Sequence, residues 1–236
     1  MMQHTYRQFD AEMENLRTGV LSMGGLVEAQ LARSIQALTS DDDTADLINQ
    51  VGANEVRINE QQMRMDEQCS QIIARRQPAA VDLRTILTIT KMVNDLERIG
   101  DEVKKIAYKA PDIRAAEQLR QVRLFDVARS AEQTRQMLQM ALDAFARLDA
   151  IAAAKVIESD TAIDAAFSSI LRQLVSYMME DPRPITAALE IVFIAISIER
   201  FGDHAKNIAE AVVQVVKGKD VRHISLEKIQ AEIGAS

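Results

Sequence analysis

Apolar residues recur at steps of three and four along the first stretch of the chain, which is the spacing of one buried helix face. The pattern predicts a helix of roughly thirty residues, about 45 Å long. No stretch of the chain shows the strict alternation of apolar and polar residues that is typical of a strand. The residues that define the first face are Phe9, Met13, Leu16, Val20, Met23, Val27, Leu31, Ile35 and Leu38.

The prolines divide the rest of the chain into long helical stretches. Because proline lacks a backbone N–H, we expect Pro78, Pro111, Pro182 and Pro184 to lie where helices begin or end. The connections are short, so successive helices are predicted to be antiparallel neighbours. The tail after Gly218 is expected to be loosely held. The six predicted helices span residues 6–39, 43–76, 82–109, 115–147, 150–180 and 184–217.

The second half of the chain repeats the first. A shift of 102 residues superposes the third predicted helix on the sixth, and a shift of 105 superposes the second on the fifth. Loop length between helices two and three is easily varied, which accounts for the difference between the shifts. The division is therefore residues 1–112, residues 113–217 and a tail of residues 218–236. The superposed pairs include Glu97 with Glu199, Gly100 with Gly202, Asp101 with Asp203, Glu55 with Asp160, and Ile58 with Ile163.

Composition agrees with helix-on-helix packing. Hydrophobic residues make up 47% of the chain, but aromatic residues only 4%, and there is no Trp. The core must be filled by Leu, Ile, Val, Ala and the eleven Met, which favours helices over a β-sandwich. The predicted fold class is all-α, with six long helices forming two tandem three-helix bundles related by the internal repeat.

Charge and cysteine content narrow the classes of function. The net charge is −7, and no basic face is visible, so direct binding of nucleic acid is not expected. Cys69 is the only cysteine, which excludes an intramolecular disulfide and fits a reducing compartment. The first residues lack the apolar region of a signal peptide, and the longest apolar run, Ile191–Ile198, is far too short to span a bilayer. We expect a cytoplasmic protein without membrane insertion.

The third helix of each repeat carries the pattern Glu-x-x-x-Asp, whose two carboxylates lie on one helix face. The pairs are Glu97 with Asp101 and Glu199 with Asp203. Such a pair is most often solvated surface charge. Here it recurs in both repeats, although like charges at this spacing destabilise a helix by about 0.2–0.5 kcal/mol. The second pair also continues an apolar face of its helix. The residues of that face are Ile185, Leu189, Val192 and Ile196.

Hairpin geometry brings further oxygen donors toward each pair. If helices five and six turn near residue 182, two aspartates of helix five lie opposite the second pair, because residues equally distant from a turn face each other. A turn near residue 80 likewise places a glutamate and an asparagine of helix two beside the first pair. The first cluster comprises Glu55, Asn59, Glu97 and Asp101, and the second cluster comprises Asp160, Asp164, Glu199 and Asp203.

Each cluster is predicted to bind a divalent or trivalent metal ion. Ligation by oxygen alone favours hard ions such as Mg²⁺, Ca²⁺, Mn²⁺ or iron over Zn²⁺ and copper. The second cluster consists of four carboxylates, whereas Asn59 supplies an amide to the first, so the second is expected to hold its ion more firmly. The alternative is a metal-free structural network in which the carboxylates pair with Arg98, Arg200 or other bases.

The motifs of several enzyme classes are absent from the sequence. None of the three histidines follows a glutamate at the spacing that ferritin-like di-metal enzymes require. His204, beside Asp203, is interpreted as a helix-surface or dipole-related residue, with contact to a metal ion as the alternative. There is no glycine-rich phosphate loop, nucleophile elbow or Cys–His arrangement. We therefore predict that the protein is not an enzyme.

The chain resembles the PhoU family of phosphate-uptake regulators along nearly its whole length. The most specific feature is the duplicated motif ERxGD, which occurs as ERIGD and as ERFGD. The other matching segments are FDAEMENLRTGVLSMGGLVEAQL, IIARRQPAAVDLR, DEVKKIA, DAFARLD, RQLVSYMMEDPR, DHAKNIAE and VKGKDVRH.

The resemblance implies a cytoplasmic regulator, usually a homodimer, that represses the phosphate-starvation response. It also implies two protein partners, the ATPase subunit of the high-affinity phosphate transporter and a membrane sensor histidine kinase. Some members bind metal clusters through acidic motifs that correspond here to Glu97 and Asp101 and to the second cluster. The leading hypothesis is thus a metal-supported signalling adaptor. A metal-dependent enzyme acting on a phosphate compound and a metal-free helical scaffold remain the alternatives.

Overall fold

Seven helices make up the regular structure in the part of the chain that this computed structural model describes. The backbone is described for residues 2–40, 42–115, 117–181, 183, 185–222, 224 and 226–234, and the side chains for residues 7–40, 42–113, 124–181, 183, 185–222, 224 and 227–231. The helices are α1 (Met2–Thr39), α2 (Ala45–Arg76), α3 (Ala80–Ala115), α4 (Glu117–Arg147), α5 (Ala150–Glu180), α6 (Ile185–Lys217) and α7 (Leu226–Gly234).

Local sequence accounts for several helix ends. Gln77 caps α2 in the left-handed conformation, with its N–H donating to the Ile73 carbonyl. Asp149 begins α5, because its side chain accepts from the N–H groups of Ile151 and Ala152. Gly218 follows α6 with a φ of 72°, a conformation that glycine adopts without steric cost.

The helices form two bundles that share one core. The helices α1, α2 and α3 pack together, as do α4, α5 and α6, and the bundles join where α3 contacts α6 and α1 contacts α4. Apolar side chains from both bundles make up one continuous cluster, with Leu96 of α3 and Ile198 of α6 among its buried members. The prediction of an all-α fold built from a duplicated three-helix unit is confirmed.

The contact between α3 and α6 is itself nearly symmetric. His204 Nδ1 lies 2.8 Å from Asp95 Oδ1. At the positions related by the shift of 102 residues, Ser197 Oγ donates to Glu102 Oε2 at 3.0 Å. Exchanging the repeats therefore exchanges these two polar contacts. The antiparallel helices α3 and α6 are related by an approximate twofold axis.

The expectation that every proline marks a helix end is wrong for Pro111, which lies inside α3. A proline there removes one backbone hydrogen bond. Ala110 and Ile113 on either side of it are each 1% exposed, and burying them holds the last turns of α3 against the core. Pro182 and Pro184 lie outside the described residues.

The expectation of a loosely held tail is also wrong for its described part. Val221 and Ile229 are each 1% exposed, and α7 packs against α5. These two side chains anchor the segment, because their burial removes apolar surface from water. Within the described residues, no helix is both long enough and apolar enough to cross a membrane.

Candidate functional site

The apolar stripe that precedes the second Glu-x-x-x-Asp is not the core face of α6. Ile185 and Leu189 are 40% and 44% exposed, whereas Ile191 and Ile198 are buried. The apolar stripe formed by Ile185, Leu189, Val192 and Ile196 therefore lies on a partly exposed face of α6, beside the buried face that contains Ile191 and Ile198. The carboxylate-bearing face of α6 reaches both the protein interior and solvent.

The structure brings the four carboxylates of the second cluster close enough to repel one another. Partial burial, followed by the charges of Asp203 and Asp164, raises the pKa of Glu199. Burial, followed by the charges of Asp160 and Asp164, also raises the pKa of Asp203. The pKa of each carboxylate on α6 is thus raised first by partial burial and then by the charges of nearby carboxylates, among them the aspartates on α5.

One lysine offsets part of this negative charge. Lys206 Nζ donates to Asp160 Oδ2 at 2.6 Å, and Asp160 is only 4% exposed. Burial works to lower the pKa of Lys206, but the hydrogen bond to Asp160 and the charges of Asp160, Glu210 and Asp203 outweigh it, so the pKa is raised. The inner aspartate of the second cluster is therefore held by an ammonium group.

The first cluster holds its inner carboxylate differently. Glu55 is 2% exposed, and Gln30 Nε2 donates both to Glu55 Oε2 and to the Gly100 carbonyl, each at 2.9 Å. Gln30 Oε1 accepts from Asn54 Nδ2 at 2.9 Å. Burial raises the pKa of Glu55, the Gln30 hydrogen bond counteracts this in part, and the charge of Asp101 raises it further.

Two buried oxygens of the first cluster have no hydrogen-bond partner among the residues that the structure describes. They are Glu55 Oε1 and Asn59 Oδ1, and such atoms are costly to bury unpaired. Burial, followed by the charge of Asp101, also raises the pKa of Glu97. The first cluster thus contains two acceptor oxygens that no group in the described part of the chain satisfies.

The repeated glycines allow close packing beside both clusters. A Cβ on Gly100 would lie 3.2 Å from Glu55 Oε2 and from Ile58, and one on Gly202 would lie 3.2 Å from Ile163. Gly100 and Gly202 therefore let α2 and α5 approach the third helix of each repeat.

The carboxylate and amide oxygens of both clusters are suitable ligands for a hard cation, but they are not arranged around a common point. Among the described residues, no three His, Cys, Asp or Glu side chains stand where they could hold a metal ion. Glu55 and Asn59 carry unpaired buried oxygens, and partial burial together with the neighbouring carboxylates raises the pKa values of Glu199 and Asp203. The oxygen ligands are of the type that a hard metal ion prefers. In this conformation, however, no three of the described His, Cys, Asp or Glu side chains point toward a common position.

A cleft of about 720 Å³ opens beside the second cluster. Asp164, Asp203 and Lys206 line one part of it, and Ile224 and Ile229 of the tail line another. The first repeat has no equivalent of this tail, because α3 leads into α4 instead. The second cluster therefore faces a cleft that is partly enclosed by the C-terminal segment.

Sequence reasoning missed three of the polar residues that organise this region. A lysine follows each Asp of the repeated motif by three residues, as Lys104 and Lys206, so the repeat could have revealed Lys206. Gln30 interrupts an apolar helix face, which is a signal for a buried polar contact. His204 was interpreted as a surface residue, but it is partly buried against Asp95.

Comparison with known proteins gives one consistent family. Residues 20–110 and 127–212 each match the PhoU domain. A phosphate-specific transport system accessory protein PhoU homolog of Pseudomonas aeruginosa is 46% identical over 231 residues, covering 98% of this chain and 94% of the relative. The accessory protein PhoU of Escherichia coli (strain K12) is 41% identical over 226 residues, covering 96% of this chain and 92% of the relative.

Solved structures agree with the sequence relatives. The crystal structure of PhoU from Pseudomonas aeruginosa matches with a TM-score of 0.84 and 45% identity, covering 89% of this chain and 100% of that one. The phosphate transport system regulatory protein PhoU from Streptococcus pneumoniae matches with a TM-score of 0.79 and 26% identity, covering 90% and 99%.

Proposed function

This chain belongs to the PhoU family, and we propose that it is an accessory protein of phosphate-specific transport that represses phosphate uptake and the phosphate-starvation response. The observation that carries the proposal is the near full-length match to relatives named as accessory proteins of that system. Both repeats take part in the match, so the proposal concerns the whole duplicated unit and not one shared domain.

The proposed mode of action is binding to other proteins, without catalysis. The chain acts as a cytoplasmic adaptor, usually a homodimer, between the ATPase subunit of the high-affinity transporter and a membrane sensor histidine kinase. The relatives are named accessory or regulatory proteins, which supports a role without turnover. Long helices sharing one core also suit this role, because they offer extended rigid surfaces to partners.

We further propose that the adaptor binds a metal ion with oxygen ligands, Mg²⁺, Mn²⁺, Ca²⁺ or iron, at the two clusters. The buried, unpaired oxygens of Glu55 and Asn59 support this at the first cluster. The mutual repulsion of the carboxylates supports it at the second. A bound cation would neutralise the carboxylates and strengthen the contact between neighbouring helices. Binding requires the side chains to turn toward a common point.

One observation favours the metal-free scaffold as a second candidate. Lys206 already supplies a positive charge to Asp160 at 2.6 Å, and Arg200 donates to the buried Glu102 at 3.0 Å. Basic side chains therefore compensate some carboxylates in this region without an ion. Elemental analysis separates the candidates. We expect metal in untagged wild-type protein and less in the double variant Glu199→Gln/Asp203→Asn.

Deletion of the gene tests the regulatory proposal. We expect a reporter of phosphate-starvation genes to be active in high phosphate in the deletion strain, and the wild-type gene to restore repression. The Asp143→Asn gene is a control for this complementation and should restore repression as the wild-type gene does, because this carboxylate is exposed and lies 3.8 Å from Arg147 of its own helix. Normal repression in the deletion strain would overturn the proposed function.

A further inference from the structure

Lys206 is the cationic partner of Asp160, the inner carboxylate of the second cluster. Its Nζ lies 2.6 Å from Asp160 Oδ2, and the side chain of Asp160 is 6% exposed. Because Asp160 is buried, its charge depends on a nearby partner more strongly than that of a solvated carboxylate. In this conformation the partner is a side chain of the protein itself.

The equivalent lysine in the first repeat does not take this role. Lys104 acts on Glu55 by its charge, but the hydrogen bond to Glu55 comes from the neutral amide of Gln30. The two inner carboxylates thus occupy related positions and are held by different donors.

The residue that packs beside Gly100 or Gly202 determines which group donates a hydrogen bond to the inner carboxylate of that repeat. Gln30 of α1 reaches the Gly100 carbonyl and Glu55. At the related position in α4, Thr134 lies 3.6 Å from where a Cβ on Gly202 would be. Its Oγ1 donates to the Ala131 carbonyl of its own helix at 2.8 Å. Since Thr134 is too short to serve the inner carboxylate, Lys206 takes that place.

We propose that Lys206 is a built-in competitor for metal ions at the second cluster. This inference rests on the proposed cation binding. The ammonium group of Lys206 occupies Asp160 Oδ2 and repels an incoming cation, so a metal ion gains the whole Asp160 carboxylate only when the ammonium group leaves it. The Gln30 amide also occupies one carboxylate oxygen, Glu55 Oε2, but it is neutral and does not repel a cation. The Lys206 side chain is 34% exposed, so it can move into solvent when an ion arrives.

The consequence reverses the expectation drawn from counting carboxylates. Four carboxylates predict the tighter site in the second repeat, but the competing ammonium group lowers its affinity. Lys206 therefore makes the second cluster the one whose occupancy responds to changes in cation concentration.

Titration of Mn²⁺ tests this in the full-length protein, with free Mn²⁺ followed by its electron paramagnetic resonance signal at constant pH and ionic strength. The parent carries Glu97→Gln and Asp101→Asn, which disable the first cluster. Adding Lys206→Gln removes the positive charge but keeps a hydrogen-bond donor. We expect it to tighten Mn²⁺ binding about tenfold, because a charge beside the ion is removed.

Two controls accompany the titration. Lys206→Arg keeps the positive charge and should leave the parent affinity within about twofold, as should Lys104→Met in the first repeat. Lys206→Met replaces Lys206→Gln if circular dichroism shows that the latter is unfolded. Unchanged or weaker binding in the neutral variants overturns the inference alone. Failure of every variant, and of wild-type protein, to bind Mn²⁺ overturns the proposed metal binding together with it.

Discussion

The two repeats place an inner carboxylate at related positions and stabilise it in different ways. In the first repeat, Glu55 accepts from the Gln30 amide, which is itself buried and bonded to Asn54. In the second, Asp160 accepts from the ammonium group of Lys206. The donor in the first repeat is a neutral amide on α1. The donor in the second repeat is a charged ammonium group on α6, the helix that also carries Glu199 and Asp203.

This difference shows that duplicated backbones need not have duplicated electrostatics. The neutral amide leaves the Glu55 charge without a counter-charge in hydrogen-bond contact and one of its oxygens unpaired. The lysine reduces the negative charge of the second cluster, but it costs the desolvation of a second charged group. The first repeat therefore depends on buried hydrogen bonds, and the second on a balance of charges.

The largest expected effect tests the buried amide. Gln30→Leu should lower the free energy of unfolding by about 2–3 kcal/mol, because it leaves the buried Glu55 carboxylate without its amide donor and Asn54 without its acceptor. Thr134→Val at the related position should change it by less than about 0.5 kcal/mol, since Thr134 bonds only to its own helix. Urea denaturation at neutral pH measures both. Equal losses would show that the repeats do not differ in this way.

The next effect concerns the nearly symmetric contact between the repeats. Glu102 is buried and accepts from Ser197, Arg200 and Lys105. Glu102→Ala should therefore cost about 1–2 kcal/mol, because it leaves the buried Ser197 hydroxyl without its acceptor and removes two partly exposed ion pairs. Asp95→Ala, on the more exposed side of the contact, should cost about 1 kcal/mol or less. Thermal unfolding of the two variants measures the difference. A larger loss from Asp95→Ala would contradict the assigned asymmetry.

The smallest effect is a gain in stability from relieving repulsion. The pKa of Asp203 is raised in the folded protein by burial and by Asp160. A raised carboxyl pKa adds stability at low pH that is lost as pH rises through the folded value. In the presence of a chelator, Asp203→Asn should therefore stabilise the protein by about 0.5 kcal/mol at pH 7.

The gain from Asp203→Asn should shrink as the pH falls, because the raised pKa lets the wild-type carboxyl take up its proton before an ordinary aspartate would. Chemical denaturation at successively lower pH values measures the trend. Asp143→Asn serves as the control, because its exposed carboxylate should show no comparable gain. A gain from Asp203→Asn that is independent of pH would mean that repulsion is not its cause.

Much of the fold could be predicted because helix periodicity is a local property of the chain. The spacing of residues such as Leu16, Val20 and Met23 predicts one buried face, and all three are buried. The predictions for Pro111 and for the tail are wrong, because the burial of Ile113 and Ile229 depends on helices distant in sequence. Local signals could not reveal those contacts.

Part of the candidate site followed from the repeat and from hairpin geometry. The repeat and the hairpin geometry predict the eight residues of the two clusters. In the structure, the four carboxylates of the second cluster lie close enough for electrostatic repulsion among them. The role of Gln30 could not be derived in the same way. Its partners are 25 and 70 residues away, and no motif links them.

The sequence by itself determined the helices, the duplication and the positions of the carboxylates, because each depends on short spacings or on self-similarity. Only the tertiary structure decided which donor holds each inner carboxylate. That choice depends on whether α1 or α4 presents a side chain long enough to cross to the neighbouring helix, as Gln30 does and Thr134 does not. Reach across a helix interface is set by packing, and packing depends on contacts that no local pattern records.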